Sequence, residues 1–230
     1  MKNIKLTGCI LFLSLFMGGK AQAQDWPNLN KYESENANLK PAEAGQKRIV
    51  FMGDSITEFW STVNSEYFSG KPYVNRGISG QTSPQMLVRF RADVIALKPA
   101  AVVILAGIND IAGNTGPASL DMIKNNIFSM VELAKANQIK IILCSVLPAF
   151  DFPWKRNQNP AEKVMALNKL LKNYADANGI EYLDYYSAMV DKRKGLLASY
   201  SNDGVHPNKA GYQIMAPLAE AAITKVLLEK

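Results

Sequence analysis

Histidine is almost absent from this chain, with a single copy, His206, in 230 residues. Structural and catalytic zinc sites usually draw several ligands from histidine, cysteine and carboxylates, so this scarcity argues against a metal centre. It also leaves one candidate wherever an imidazole is needed. Cysteine is nearly as rare. Of the two present, Cys9 lies in a removable-looking leader and Cys144 in the apolar run Ile141-Ile142-Leu143-Cys144. No intramolecular disulfide can then form, and Cys144 reads as a core thiol. No uncharged apolar run reaches the ~20 residues that cross a bilayer. There is no Lys/Arg block with interleaved aromatics of the kind that binds nucleic acid. No G-x-G-x-x-G or Walker loop follows a strand, and no G-x-S-x-G elbow occurs. The expectations are no cofactor, no metal, no nucleic-acid partner and no stable membrane insertion.

The N-terminus carries Lys2 and Lys5, then an apolar stretch from Ile10 to Met17, then Ala21-Gln22-Ala23. That order reads as a secretory leader over 1–23, cleaved after Ala23, and predicts an exported protein, periplasmic or extracellular. Cys9 precedes the apolar stretch, which is the wrong side for a lipid-anchor site. Three of the 26 basic residues leave with the leader, so 23 remain against 20 acidic ones and the balance is only mildly positive. The 207 residues left suit one domain with a sizeable core. Residues 24–47 are polar and contain Pro27 and Pro41. There Leu29, Tyr32, Asn36 and Leu39 can share one helical face, so this segment reads as an arm lying on a domain of 48–230.

Short β-branched runs at 48–53, 73–77, 101–106, 139–146 and 180–184 alternate with stretches of helical period. Leu120, Ile123, Ile127, Met130, Val131 and Ala134 fall on one helical face. Val164, Leu167, Leu171, Tyr174 and Ala175 fall on another, and Met215, Leu218, Ala219, Ala222, Ile223, Val226 and Leu227 on a third. Pro217 is expected near the first turns of this last helix. Such alternation predicts an α/β fold with a five-stranded parallel sheet between helical layers.

Chemistry-bearing residues collect where strands end. Gly53-Asp54-Ser55-Ile56-Thr57 closes the first run, with a helix expected from about Thr57, and Asp203-Gly204-Val205-His206-Pro207 holds the lone histidine. A serine hydroxyl is a weak nucleophile until a positioned base takes its proton, and imidazole suits that task. Asp203, three residues before His206, can fix the ring's tautomer and stabilise the imidazolium. A strand-to-helix turn at Ser55 exposes backbone N–H groups to developing negative charge. The plainer alternative is that Asp-Ser-Ile-Thr only caps a helix. Two further segments, Asn75-Arg76-Gly77-Ile78-Ser79-Gly80-Gln81-Thr82 and Gly107-Ile108-Asn109-Asp110, each follow a probable strand.

Taken in order, G-D-S, a glycine turn, G-x-N-D and D-x-x-H resemble the four sequence blocks of the SGNH/GDSL hydrolases, and the resemblance runs from residue 48 to about 228. It implies a flavodoxin-like three-layer α/β/α sandwich. By resemblance Ser55 is the nucleophile, Asp203 and His206 complete the triad, and an oxyanion accepts hydrogen bonds from the Ser55 and Gly80 N–H groups and the Asn109 amide. Gly77 and Asp110 read as structural.

The resemblance is strongest to platelet-activating-factor acetylhydrolase-like and bacterial carbohydrate-esterase members. It implies a serine esterase acting on acetyl or other short acyl esters of a small molecule or saccharide. A lysophospholipase or thioesterase with a longer acyl pocket is the enzymatic alternative. An inactive carbohydrate-binding protein on the same fold is the alternative of a different class. The loop 148–157, with Phe150, Phe152, Trp154, Lys155 and Arg156, together with Phe59 and Trp60, is a candidate substrate wall or simply packing.

Overall fold

The computed structural model describes residues 25–42 and 45–228, so the expected leader lies outside the described residues. Five parallel strands, β1 (Ile49–Gly53), β2 (Tyr73–Gly77), β3 (Ala101–Leu105), β4 (Lys140–Cys144) and β5 (Glu181–Leu183), form one sheet in the order β2-β1-β3-β4-β5. Eight α-helices accompany them among the described residues: α1 (Glu33–Asn38), α2 (Ser55–Val63), α3 (Ser83–Asp93), α4 (Ile108–Ala112), α5 (Leu120–Ala136), α6 (Pro160–Asn178), α7 (Tyr185–Met189) and α8 (Lys209–Leu228). The order is that of flavodoxin-like folds, as the sequence resemblance implies.

Parallel neighbours need crossovers, and right-handed crossovers decide which face each helix covers. The chain steps from β1 to β2 in one direction, then returns past β1 to β3, β4 and β5. The first crossover helix, α2, therefore covers one face, while α3, α5 and α6 cover the other. The last helix, α8, comes back to pack beside α2 against β4 and β5. With both faces covered, strand residues alternate into two cores, so Ile49, Val50, Phe51 and Met52 are all buried.

The three helical stripes behave as core faces. Ile123, Ile127, Met130, Val131 and Ala134 are buried on α5, and Val164, Leu167, Leu171 and Ala175 on α6. On α8 the buried set is Met215, Ala219, Ala222, Ile223 and Val226, with Leu218 and Leu227 half-buried at its margin. Pro217 departs from expectation. The helix begins at Lys209, so the proline sits in its interior rather than in the first turns, where it removes one backbone donor from the ladder.

The arm packs on the domain through specific bonds. The buried Tyr32 donates its hydroxyl to the Gly77 carbonyl, and Asn36 both donates to Asp93 (2.7 Å) and accepts from the Arg76 guanidinium (2.9 Å). Beneath it, the fully buried Arg89 bonds Asp93 (2.9 Å), the Gln81 side chain (2.6 Å) and the Gly53 carbonyl (3.0 Å). One guanidinium thus ties the end of β1 to the turn after β2. Among the described residues no helix is long and apolar enough to cross a membrane.

Candidate active site

The switch in strand order lies between β1 and β3, and open α/β sheets generally bind ligands outside the strands' carboxyl ends at such a point. Ser55 follows β1, Gly80 follows β2 and Asn109 follows β3, so three of the expected residues share this end of the sheet. α2 starts two residues earlier than expected, with Asp54 as its cap, accepting from the Ile56 N–H at 2.9 Å. The capping role therefore falls to Asp54 and not to Ser55. Asp54 caps the helix and frees Ser55, its first residue, whose N–H has no acceptor within the helix.

His206 reaches Ser55 from the far end of the chain. Its Nε2 lies 2.9 Å from Ser55 Oγ and its Nδ1 lies 2.6 Å from Asp203 Oδ2. Partial burial pushes the Asp203 carboxyl up. Hydrogen bonds from the His206 ring and from the His206 and Val205 N–H groups outweigh that, holding it below the usual carboxylate range. An ionised Asp203 can only accept, so Nδ1 carries the proton and Nε2 is left to accept from the serine hydroxyl. Asp203 Oδ1 takes N–H bonds from Val205 (2.9 Å) and His206 (2.8 Å), which folds the turn so that Oδ2 meets the ring.

Two further residues hold that turn, of which Ser201 was absent from the sequence reading. The Ser201 hydroxyl donates to the His206 carbonyl at 2.7 Å and accepts from the Gly204 N–H at 2.9 Å. Tyr212, on the first turn of α8, donates its buried hydroxyl to the Ile56 carbonyl at 2.7 Å. The segment bearing the histidine is thereby tied to the helix that begins at the serine. Gly211 allows the approach, since a Cβ there would stand 2.5 Å from the Tyr200 carbonyl oxygen.

The expected donor residues after β2 and β3 are held by a second network. Asn109 is buried on α4 and donates one amide hydrogen to the Gln81 carbonyl at 3.0 Å, leaving the other free. Asn114 donates to Asn109 Oδ1 at 3.0 Å and to the Gly80 carbonyl at 3.2 Å, bridging two of the expected donor residues. The sequence held no signal for it beyond its place in the turn Gly113-Asn114-Thr115-Gly116. Gly80 has φ +76° with open space about its would-be Cβ, so its backbone shape rather than crowding calls for glycine. Gly77 is the reverse case, because a Cβ there would stand 2.2 Å from the Glu58 N–H nitrogen. Asp110 accepts from the Ser83 N–H (2.9 and 3.0 Å) and hydroxyl (2.6 Å), pinning the start of α3 without reaching Ser55.

Asp54 has an unusual environment. Burial pushes its carboxyl up to about 7, against pulls from the Ile56 N–H and His206, and its Oδ2 has no hydrogen-bond partner. Among the described residues no three His, Cys, Asp or Glu side chains are grouped to hold a metal ion. A hollow of about 870 Å³ between α1, α2 and β2, lined by Lys31, Tyr32, Phe68 and Arg76 among others, includes none of the residues around Ser55.

The aromatic residues divide. Trp60 is buried, stacked on Tyr67 at 4.6 Å and Tyr212 at 5.3 Å, and belongs to the core rather than to any substrate wall. Phe152 is buried, Phe150 lies under the Arg193 guanidinium at 5.1 Å, and Lys155 is spent on the Ala112 carbonyl at 2.7 Å. Phe59 and Trp154 are the ones beside the histidine, with ring centroids 5.4 and 5.9 Å from its own.

A family model described as "GDSL-like Lipase/Acylhydrolase family" matches residues 51–214. The structure of a provisionally assigned acylhydrolase from Bacteroides fragilis NCTC 9343 is 50% identical, covers 89% of this chain and 100% of that one, and superposes with a TM-score of 0.87. A GDSL-like lipase from Bacteroides thetaiotaomicron VPI-5482 is likewise 50% identical over 86% of this chain and 98% of its own, with a TM-score of 0.84. A sequence relative, an acetylxylan esterase from Geobacillus stearothermophilus, is 27% identical over 74% of this chain and 90% of its own.

Proposed function

The chain belongs to the GDSL-like lipase/acylhydrolase family and is a carboxylic ester hydrolase of that type, and from that premise we propose that it removes acetyl or other short acyl groups from a saccharide through Ser55, His206 and Asp203. The observation that carries this reading is the continuous line from Ser55 Oγ through Nε2 and Nδ1 to Asp203, with bonds of 2.9 and 2.6 Å. The 27% identical acetylxylan esterase supports the acetyl and saccharide parts.

In this mechanism Ser55 Oγ attacks the ester carbonyl carbon while its proton passes to Nε2, and the ionised Asp203 stabilises the imidazolium. The carbonyl oxygen becomes an oxyanion that accepts from the Ser55 and Gly80 N–H groups and from the free Asn109 amide hydrogen. Donors fixed before the reaction need no reorganisation as charge develops, and one such donor is worth roughly 3–4 kcal/mol. Collapse of the tetrahedral intermediate breaks the ester C–O bond. The leaving alcohol takes the Nε2 proton, and water repeats the sequence on the acyl-serine. The leader over 1–23 is cleaved after Ala23 and the enzyme works outside the cytoplasm, as the order of Lys2, Lys5 and the apolar run supports.

Hydrolysis of p-nitrophenyl esters from acetate to palmitate, with Ser55→Ala alongside, tests the reading. The expected result is a preference for acetate that vanishes in the variant. Rates that climb with chain length would move the assignment to a lysophospholipase or thioesterase. Turnover surviving in Ser55→Ala would remove the serine from the mechanism.

A further inference from the structure

Trp154 and Phe59 are out of place as packing residues. Trp154 is 48% exposed and Phe59 37% exposed, although the sheet beside them offers a closed core. Leaving such surface in water forgoes burial worth ~25 cal/mol per Å², and both rings crowd the same imidazole. Neither is loosely held. Trp154 sits at the tip of a tight turn closed by the Phe152–Lys155 bridge, and its ring stacks on the buried Phe152 at 5.3 Å. The Lys155 ammonium bonds the Ala112 carbonyl at 2.7 Å, which anchors that turn to the end of α4. Phe59 rides on α2, one helical turn beyond Ser55.

The chemistry decides which part of an ester meets these rings. Nε2 must hand its proton to the leaving oxygen, so the alcohol portion lies against His206. The carbonyl oxygen points instead toward Gly80 and Asn109. Groups flanking the imidazole therefore touch the alcohol and not the acyl chain. A flat, rigid aromatic face suits the C–H face of a pyranose ring, leaving the sugar hydroxyls at the rim in water. An aromatic pair can also hold a quaternary ammonium, but Lys155 and Arg156 on the same loop make this a poor place for a cation.

We propose that Trp154 and Phe59 form the two walls of a subsite that seats the sugar ring carrying the scissile ester. The proposal rests on the reading of Ser55 and His206 as the reacting groups, and it deepens that reading by naming the side chains that select a saccharide alcohol.

The test compares the full-length enzyme with Trp154→Ala and Phe59→Ala on acetylated xylo-oligosaccharide and on ethyl acetate, whose two-carbon alcohol has no ring face to lie against an aromatic side chain. Each variant should lose about tenfold in kcat/KM on the sugar ester, mainly through KM, and stay within about twofold of the parent on ethyl acetate. Equal losses on both substrates would overturn the subsite, because the rings would then act on His206 itself. No loss on the sugar ester would overturn it too, as would a Trp154-dependent preference for lysophosphatidylcholine. If the parent fails to hydrolyse the sugar ester, calorimetric titration of Ser55→Ala with the same oligosaccharide separates the two ideas. Binding that Trp154→Ala abolishes in that background would keep the subsite while the substrate assignment falls, and absence of binding would sink both.

Discussion

Asn114 offers the sharpest test of how the proposed oxyanion donors are held. Replacing it with alanine keeps its backbone bond to the Asn109 carbonyl (3.0 Å) but deletes the side-chain bonds to Asn109 Oδ1 and the Gly80 carbonyl. A single intramolecular hydrogen bond is worth ~0.5–1.5 kcal/mol net, and Asn109 keeps its bond to the Gln81 carbonyl at 3.0 Å. The donors should be loosened rather than lost, so kcat should fall about tenfold with KM within about twofold, an effect of ~1.4 kcal/mol. Asn109→Ala deletes a donor outright and should cost ~10²–10³-fold in kcat. Because Asn114 acts largely through Asn109, the double variant should lie within about threefold of Asn109→Ala alone. Steady-state kinetics on p-nitrophenyl acetate read all three, with thermal melting to confirm folding. Independent, multiplicative losses, or a change confined to KM, would refute a positioning role for Asn114.

Three further outcomes follow from the same structure. Arg89→Met leaves the buried Asp93 carboxylate without its ionic partner and with only the Asn36 amide bond (2.7 Å), so chemical denaturation should register a loss of ~3–5 kcal/mol, part of which adding Asp93→Leu should restore by removing the stranded charge. Burial raises the Asp54 carboxyl from 3.8 to about 7, so the folded state keeps this proton over a range in which the unfolded chain has released it. Its contribution to stability must therefore fall as pH rises from about 4 to 7, and Asp54→Asn should flatten that part of the stability profile measured by urea titration. An unchanged slope would mean that Asp54 is already ionised in the folded state. Gly77→Ala drives a methyl into the α2 backbone and should prevent folding. Gly80→Ala has room and meets only the ~1–2 kcal/mol cost of a left-handed backbone, so it should fold and lose activity, as circular dichroism and kinetics on the two variants would establish.

Strand and helix placement was legible because burial on both faces of a parallel sheet demands unbroken apolar runs and helices one apolar stripe. Those patterns survive in Ile49-Val50-Phe51-Met52 and along α5 without knowledge of neighbours. Boundaries were less legible. Ser55 rather than Thr57 opens α2 because the Asp54 side chain competes for the cap, and the bond to the Ile56 N–H settles that competition. Pro217 was placed too close to its helix start because the asparagine that ends the turn, Asn208, caps α8 by accepting from the Gly211 N–H.

For the site, the four blocks put Ser55, Gly80, Asn109, Asp203 and His206 in view because each carries a reactive or donor group at a strand end or turn. The residues that hold them were invisible. Asn114, Ser201 and Arg89 work through partners up to 36 positions away, and nothing in their own neighbourhoods distinguishes them from ordinary turn or helix residues. The aromatics were ambiguous for the same reason. Phe59 and Trp60 are adjacent in sequence, yet a helix turns successive side chains ~100° apart, so one faces His206 and the other the core. Sequence alone determined the family and its ester-hydrolase class and named the candidate reacting groups, since Ser55, His206 and their neighbours in the four blocks are local choices of side chain. Only the tertiary structure decided how that chemistry is aimed, because distances between elements depend on packing and long-range hydrogen bonds that no local stretch of sequence encodes.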